Sequence, residues 1–157
     1  MAKVVRLLLD LPLERGVDLG ANDNDAVRSA AENGHTDVVQ LLIGLPLERG
    51  VDPDANNNHA FRCAAENGHT GGVQLLLDLP LERGIDPGAN DNYAFRFAAK
   101  KGHTDVVKLL LNLFPGRGPS RAVVQDLLSN RDLSPAMVNI LAEHLVDTER
   151  APKRRKV

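Results

Sequence analysis

The chain has 157 residues, of which 43% are hydrophobic, and this length and apolar content suit one domain with a continuous core. Aromatic residues make up only 3%, and there is no Trp. The core must therefore come from Leu, Val and Ala, and a large aromatic-lined ligand pocket is disfavoured. Cys63 is the single cysteine, which excludes an internal disulfide and favours a reducing compartment.

The first segment of the chain, MAKVVRLLLDLPLERG, contains a short apolar run that Pro12 interrupts. It is too short for a signal peptide or a membrane span. We therefore expect no membrane association and an intracellular location, cytoplasmic or nuclear.

A stretch of sequence occurs three times with a period of 34 residues. The copies are NDAVRSAAENGHTDVVQLLI at 24–43, NHAFRCAAENGHTGGVQLLL at 58–77 and NYAFRFAAKKGHTDVVKLLL at 92–111. A fixed period of this length is typical of stacked supersecondary units, each of which needs a neighbour to bury its apolar face. The function should then lie on the surface that the units share.

Each copy predicts two short antiparallel helices joined by a tight turn. The first helix is expected to begin at an Asn cap and to end where Gly adopts a left-handed conformation. The second is expected to begin at a Thr cap and to fill the space between repeats with Val and Leu. The predicted caps are Asn24, Asn58 and Asn92 for the first helices and Thr36, Thr70 and Thr104 for the second.

The strings AA-x-x-GH and VV-x-LLL, repeated in register, closely resemble the ankyrin repeat. This resemblance covers about residues 3–118 and implies an all-α ankyrin-repeat solenoid of stacked antiparallel helix pairs, with short inter-repeat loops and a C-terminal helical cap. The repeats look like the shortened variants of protist and giant-virus ankyrin families. The Thr-Pro-Leu-His opening usual in that family is absent, and Arg28, Arg62 and Arg96 are expected to bridge neighbouring repeats instead.

The predicted division follows the repeats. Residues 1–16 form a half-repeat that ends in LPLERG, a segment found again at 45–50 and 79–84. Its Leu-Glu-Arg is expected to form one more turn, closed by the Gly that follows. The open face of this half-repeat suggests either a longer parent array or a natural half-repeat start, and a monomer or a weak dimer through that face. The repeats are 17–50, 51–84 and 85–118, followed by a helical cap at 119–148 and a basic tail at 149–157. The cap is predicted to contain two helices, one capped by Ser120 and one opened by Ser134 and Pro135.

The tail has the opposite charge to the rest of the chain. Residues 150–157 hold five of the 19 Lys and Arg and none of the 21 Asp and Glu, so they carry a charge of +5 and residues 1–149 carry −7. The run Lys153, Arg154, Arg155 and Lys156 resembles a monopartite nuclear localisation signal and would bind an import receptor. Two alternatives are a solubilising tail and docking on an acidic protein surface.

The sequence offers no constellation of residues for catalysis, so we expect a non-enzymatic protein without a cofactor. His35, His69 and His103 recur once per repeat and are expected about 8–10 Å apart, one helix layer from the next. That spacing cannot coordinate a single metal, and structural hydrogen bonds are the better interpretation. Cys63 is interpreted as a packing residue.

Binding to another protein, as a scaffold or adaptor, is the function that the resemblance favours. A partner segment would lie on the concave face, with its basic end at the acidic first two repeats. The residues predicted to contact it are Asp25, Glu32, Asn33, His59, Glu66, Asn67, Tyr93, Lys100 and Lys101. The alternatives are an excised or engineered array fragment with a structural role only, and weak, salt-dependent nucleic-acid binding through the tail.

Overall fold

The computed structural model describes residues 18–83, 85–113, 117–130 and 132–150. In these ranges the chain forms eight α-helices, two short 3₁₀ turns and no strand. The helices are α1 Ala21–Glu32, α2 Thr36–Ile43, α3 Ala55–Glu66, α4 Thr70–Leu77, α5 Ala89–Lys100, α6 Thr104–Leu111, α7 Arg121–Leu128 and α8 Pro135–Arg150. The half-repeat predicted at 1–16 and the tail beyond 150 lie outside the described residues.

The helices stack in two layers. The first helices α1, α3 and α5 pack side by side, and the second helices α2, α4 and α6 do the same behind them. Paired alanines such as Ala64 and Ala65 are fully buried, since their small side chains let the layers approach closely. Leu76 and Leu110, together with the valines of the second helices, fill the space between repeats. The all-helical solenoid that the repeats predicted is confirmed.

The first helices begin differently from the prediction. Asn56, Asn57 and Asn58 have φ of 54–59°, and Asn90, Asp91 and Asn92 repeat this left-handed turn at the start of α5. Asn and Asp tolerate this region better than other residues with a side chain. None of these helices has a side-chain cap, so the predicted capping role of Asn24, Asn58 and Asn92 is wrong.

Two of these asparagines bind the following repeat. Asn24 Oδ1 accepts a hydrogen bond from the backbone N–H of Asp52 at 2.7 Å, and Asn58 Oδ1 accepts one from Asp86 N–H at 3.0 Å. Both asparagine side chains are buried. The amide that was expected to cap its own helix therefore fixes the loop of the next repeat.

The turn between the two helices of a repeat was predicted correctly at its glycine. Gly34, Gly68 and Gly102 have φ of 70°, 76° and 80°, and the N–H of the following histidine bonds back to the first helix, as in a Schellman motif. The predicted threonine caps are wrong, because each threonine is the first residue of its helix and makes no capping bond. The preceding histidine occupies the cap position.

The LPLERG segment forms one extra turn after the second helix, as expected. Leu47–Arg49 and Leu81–Arg83 are 3₁₀ turns, and Gly50 ends the first of them with φ of 75°. Arg83 Nη2 donates to the carbonyl oxygen of Ile43 at 3.3 Å. This side chain therefore ties its turn to the preceding repeat.

The last two helices continue both layers without the repeat sequence. Ser120 Oγ accepts a hydrogen bond from Val123 N–H, and Ser134 Oγ accepts one from Met137 N–H, so both predicted helix starts are present. Helix α8 packs on α6 and on α7, with Met137 and Leu141 fully buried. This pair covers the leucine face of the third repeat.

Candidate partner-binding face

The first helices share an outward stripe of side chains at positions i, i+3, i+4 and i+7. This spacing keeps the four residues on one side of a helix, opposite buried residues such as Val27, Phe61 and Phe95. All twelve side chains are exposed or half-buried. We call this surface the first-helix face; it consists of Asp25, Arg28, Ser29 and Glu32 on α1, His59, Arg62, Cys63 and Glu66 on α3, and Tyr93, Arg96, Phe97 and Lys100 on α5.

The charged side chains of the α1 stripe pair with one another. Arg28 pairs with Asp25 one turn before it and with Glu32 one turn after it, the latter at 3.2 Å. Ser29 Oγ donates to Asp25 Oδ1, and Asn33 Nδ2 donates to the Ser29 carbonyl oxygen. Two carboxylates facing one guanidinium leave this end of the face with a net negative charge, as predicted.

Helices α3 and α5 are linked through Glu66. The Tyr93 hydroxyl donates to Glu66 Oε2 at 2.7 Å, and Lys101 Nζ lies 3.0 Å from Glu66 Oε1. These two hydrogen bonds hold the pKa of the Glu66 carboxyl below its usual value, while the same carboxylate, with burial, raises the pKa of the Tyr93 phenol. Glu66 was predicted to be exposed, but its side chain is only 25% exposed because residues of the next repeat cover it.

The arginine row behaves differently in each repeat. Arg62 donates to the carbonyl oxygens of Asn56 and Asn57 in its own left-handed turn. Arg96 donates to the Asp91 carbonyl oxygen in the same manner and also pairs with Asp126 of α7 at 2.6 Å. The predicted bridging of neighbouring repeats is therefore wrong for Arg28 and Arg62, whose described hydrogen bonds stay within their own repeats. Arg96 does bridge, but to the C-terminal helix α7 and not to another repeat.

An aromatic pair lies on α5. The rings of Tyr93 and Phe97 stack with centroids 4.0 Å apart and an interplanar angle of 16°. The Arg62 guanidinium lies 5.1 Å from the Tyr93 centroid, and Lys100 Nζ lies 5.3 Å from that of Phe97. The sequence analysis did not include Arg62 or Phe97 in the site, although the i, i+4 spacing of Tyr93 and Phe97 was a usable signal.

The middle stripe is close to neutral. Burial lowers the pKa of His59, with Arg62 and Arg28 adding to the effect, so its ring favours the uncharged form. Asn67 Nδ2 donates to the Cys63 carbonyl oxygen, as Asn33 does one repeat earlier. Burial raises the pKa of the Cys63 thiol, which makes a thiolate less favourable.

The repeated histidines connect neighbouring repeats. His69 Nε2 is 2.9 Å from the Glu32 carbonyl oxygen, and His103 Nε2 is 3.0 Å from that of Glu66. The predicted structural hydrogen bonds are confirmed for His69 and His103. No group of His, Cys, Asp or Glu that could hold a metal ion occurs among the described residues. Within the same ranges, no helix is long and apolar enough to cross a membrane.

Of the nine predicted contact residues, the structure brings together Glu66, Tyr93 and Lys101, with Lys100 nearby through Phe97. Asp25 and Glu32 form a separate cluster around Arg28. The signal-like residues Lys153, Arg154, Arg155 and Lys156 lie outside the described part of the chain.

Two stacked layers of helix pairs, joined by hydrogen bonds from each repeat to the next, define a helical-repeat solenoid. A family model described as ankyrin repeats (three copies) matches residues 1–91, more than half of the chain. The chain therefore belongs to the ankyrin-repeat family, whose repeats generally mediate protein–protein interactions and are typically non-enzymatic. A search of curated proteins finds no match.

Proposed function

We propose that this protein is an interaction scaffold or adaptor that holds a segment of a partner protein along the first-helix face. One observation supports the proposal above all. The asparagines and histidines that hydrogen-bond to the neighbouring repeat are the same in each copy, whereas outward rows such as Asp25, His59 and Tyr93 differ. A surface that varies over a constant framework is the arrangement by which repeat proteins acquire specificity.

The proposed partner segment has a basic end that meets α1. Asp25 and Glu32 outnumber Arg28 there, and Glu32 keeps 46% of its side chain exposed. Glu66 is already bound by Tyr93 and Lys101. The acidic end of the face is therefore limited to α1, whereas the sequence indicated an acidic surface over the first two repeats. Glu32 is thus the residue best placed to attract a basic side chain.

The test is a comparison of two charge reversals. Glu32→Lys changes the first-helix face, and Glu143→Lys makes the same charge change at an exposed position of α8. Each chain is used to capture proteins from a eukaryotic lysate, with the bound proteins compared by mass spectrometry. We expect a specific partner that binds the wild type and the Glu143→Lys chain and is lost with Glu32→Lys.

Two outcomes would contradict the proposal. Equal capture by all three chains would mean that the partner binds elsewhere. Failure of every chain to capture a specific protein would favour the array fragment without a partner of its own, which should still fold as a monomer.

We further propose that the basic tail directs the protein to the nucleus. The support is in the sequence, where Lys153 to Lys156 form an unbroken basic run beyond an acidic body. A fluorescent fusion of the whole chain should accumulate in nuclei, and one ending at Arg150 should not. Equal distribution of the two fusions would refute an import signal and leave the solubilising role.

A further inference from the structure

The chain places half of its described aromatic side chains on one outward stripe. It has four Phe and one Tyr. Phe61 and Phe95 are fully buried in the core, whereas Tyr93 and Phe97 are half-buried on α5. The equivalent positions are Asp25 and Ser29 on α1 and His59 and Cys63 on α3, so the packing of the repeats does not require rings there.

Two cations flank this aromatic pair without a carboxylate partner. Throughout the described ranges no ion pair reaches Arg62 or Lys100, whereas Arg28 and Arg96 each have two and Lys101 has one. Arg62 lies over Tyr93, and Lys100 lies over Phe97. The rings thus sit between two positive charges that have no carboxylate in an ion pair within the described ranges, although Arg62 already donates to the carbonyl oxygens of Asn56 and Asn57.

Tyrosine and arginine are the residues that dominate binding energy at protein interfaces, and stacked rings lose little conformational freedom when a partner covers them. A cation that is held against a ring and has no counterion complements a carboxylate. An apolar side chain from the same partner would cover the rings and exclude water from the ion pairs. Binding there needs both features in one segment.

We propose that the Tyr93–Phe97 pair, with Arg62 and Lys100, is the anchor for an acidic partner segment that carries an apolar side chain between its carboxylates. This inference rests on the proposed function and specifies the chemistry of its partner at the third repeat. The carboxylates pair with Arg62 and Lys100, and the apolar side chain lies on the exposed part of the aromatic stack. The acidic end of the bound segment then lies at this anchor, and its basic end lies at the acidic α1 stripe.

The probe is a phage-displayed library of random dodecapeptides, selected on the immobilised full chain and sequenced. The expected result is enrichment of peptides that combine Asp or Glu with a Leu, Ile, Phe or Trp residue. Enrichment of basic peptides only, or no enrichment, overturns the inference.

Two variants borrowed from the first repeat locate the binding site. Lys100→Glu introduces the residue that stands at the equivalent positions 32 and 66, and it leaves the ring stack in place. Phe97→Ser introduces the residue found at position 29 and removes one ring of the stacked pair. Because each replacement residue occurs naturally at the equivalent position of another repeat, the chain should fold, and helical circular dichroism verifies this.

Anisotropy titration of the most enriched acidic peptide measures the effect. Each variant should weaken binding by about tenfold or more, the scale expected for a residue that dominates an interface. Lys108→Glu is the control: it reverses a charge at an exposed position of α6 and should leave the affinity unchanged.

The outcomes separate this inference from the function on which it rests. If peptides bind and Glu32→Lys weakens them while Lys100→Glu and Phe97→Ser do not, the first-helix face is a binding surface but its anchor is not the aromatic pair. If binding is lost with Lys108→Glu as well, the attraction is non-specific charge and the anchor is refuted. If no peptide binds the face, both proposals fail.

Discussion

The interfaces α1/α3 and α3/α5 share the same hydrogen bonds on their inner side but differ in the side-chain contacts of the outer stripe. Inside, each has an asparagine bonded to the loop of the next repeat and a histidine bonded to the end of the previous first helix. Outside, α5 is fastened to α3 through Glu66, whereas the described charges of the α1 stripe pair within α1. The inner bonds hold the array together, and the outer stripe has been free to diverge.

This difference teaches which substitutions should act alike in the two interfaces. Substitution of the inner asparagines or histidines should lower stability equally in both interfaces, because their surroundings repeat. Residues of the outer stripe should have effects that depend on the repeat. Inner residues are therefore expected to affect mainly stability, and outer-stripe residues mainly binding.

Loss of an inner asparagine should have the largest effect on folding. Asn24→Ala and Asn58→Ala each leave a backbone N–H without its partner and place alanine at a left-handed position, at φ of 62° and 59°. We expect each to lower the free energy of unfolding by about 2–4 kcal/mol, and by similar amounts. Urea unfolding followed by circular dichroism measures both midpoints and slopes.

The control for this prediction is Asn57→Ala. Asn57 is exposed and also left-handed, at φ of 56°, and its own side chain makes no described hydrogen bond, since Arg62 bonds only to its backbone carbonyl oxygen. It should show only the cost of the backbone conformation, about 1–2 kcal/mol. If Asn58→Ala were no worse than Asn57→Ala, the bond to Asp86 would contribute nothing.

A smaller effect is expected from the outer fastening. Tyr93→Phe keeps the ring stack and removes the hydroxyl that donates to Glu66, so it should lower the free energy of unfolding by about 1 kcal/mol. A double-mutant cycle with Glu66→Gln isolates the coupling between the two side chains. Glu32→Gln, the equivalent change on α1, should lower the free energy of unfolding by less than Glu66→Gln. A larger loss at Glu32 would contradict the difference between the two interfaces.

The smallest effect is a pH dependence that the α3/α5 interface should have. The pKa of Glu66 is lowered by folding, so its contribution is complete above the ordinary value of 4.5 and is lost as the pH falls below it. The pKa of Tyr93 is raised, so its contribution is complete below the ordinary value of 10.0 and is lost as the pH rises through the folded value.

Urea midpoints measured across this pH range check both arms of the prediction. Tyr93→Phe should abolish the alkaline arm, since phenylalanine does not titrate, and should weaken the acid arm. Parallel curves for the wild type and Tyr93→Phe at all pH values would contradict it.

The parts of the fold that depend on spacing within one repeat could be predicted from sequence. The 34-residue period gave the helix pairs, and Gly34, Gly68 and Gly102 gave the left-handed turn between them. The C-terminal helices followed from Ser120 and Ser134, whose hydroxyls act locally. Each of these features is decided by neighbours in the chain.

The errors concern side chains whose partners lie in another repeat. Asn24 and Asn58 looked like caps because the competing donor, a backbone N–H 28 residues ahead, leaves no mark in the local pattern. Glu66 looked exposed because Tyr93 and Lys101 reach it from the next repeat. Arg28 was expected to bridge repeats, but carboxylates within its own helix were closer.

The asparagine and histidine bonds run in opposite directions along the array. A repeat offers its asparagine forwards to the next loop and its histidine backwards to the previous helix. A tandem copy of residues 51–84 would therefore bring both halves of each bond, so the asparagine and histidine bonds would both form at the new junction. An insertion of one residue would break both bonds at once. The structure thus makes duplication of a whole repeat the simplest way for such a chain to grow in evolution.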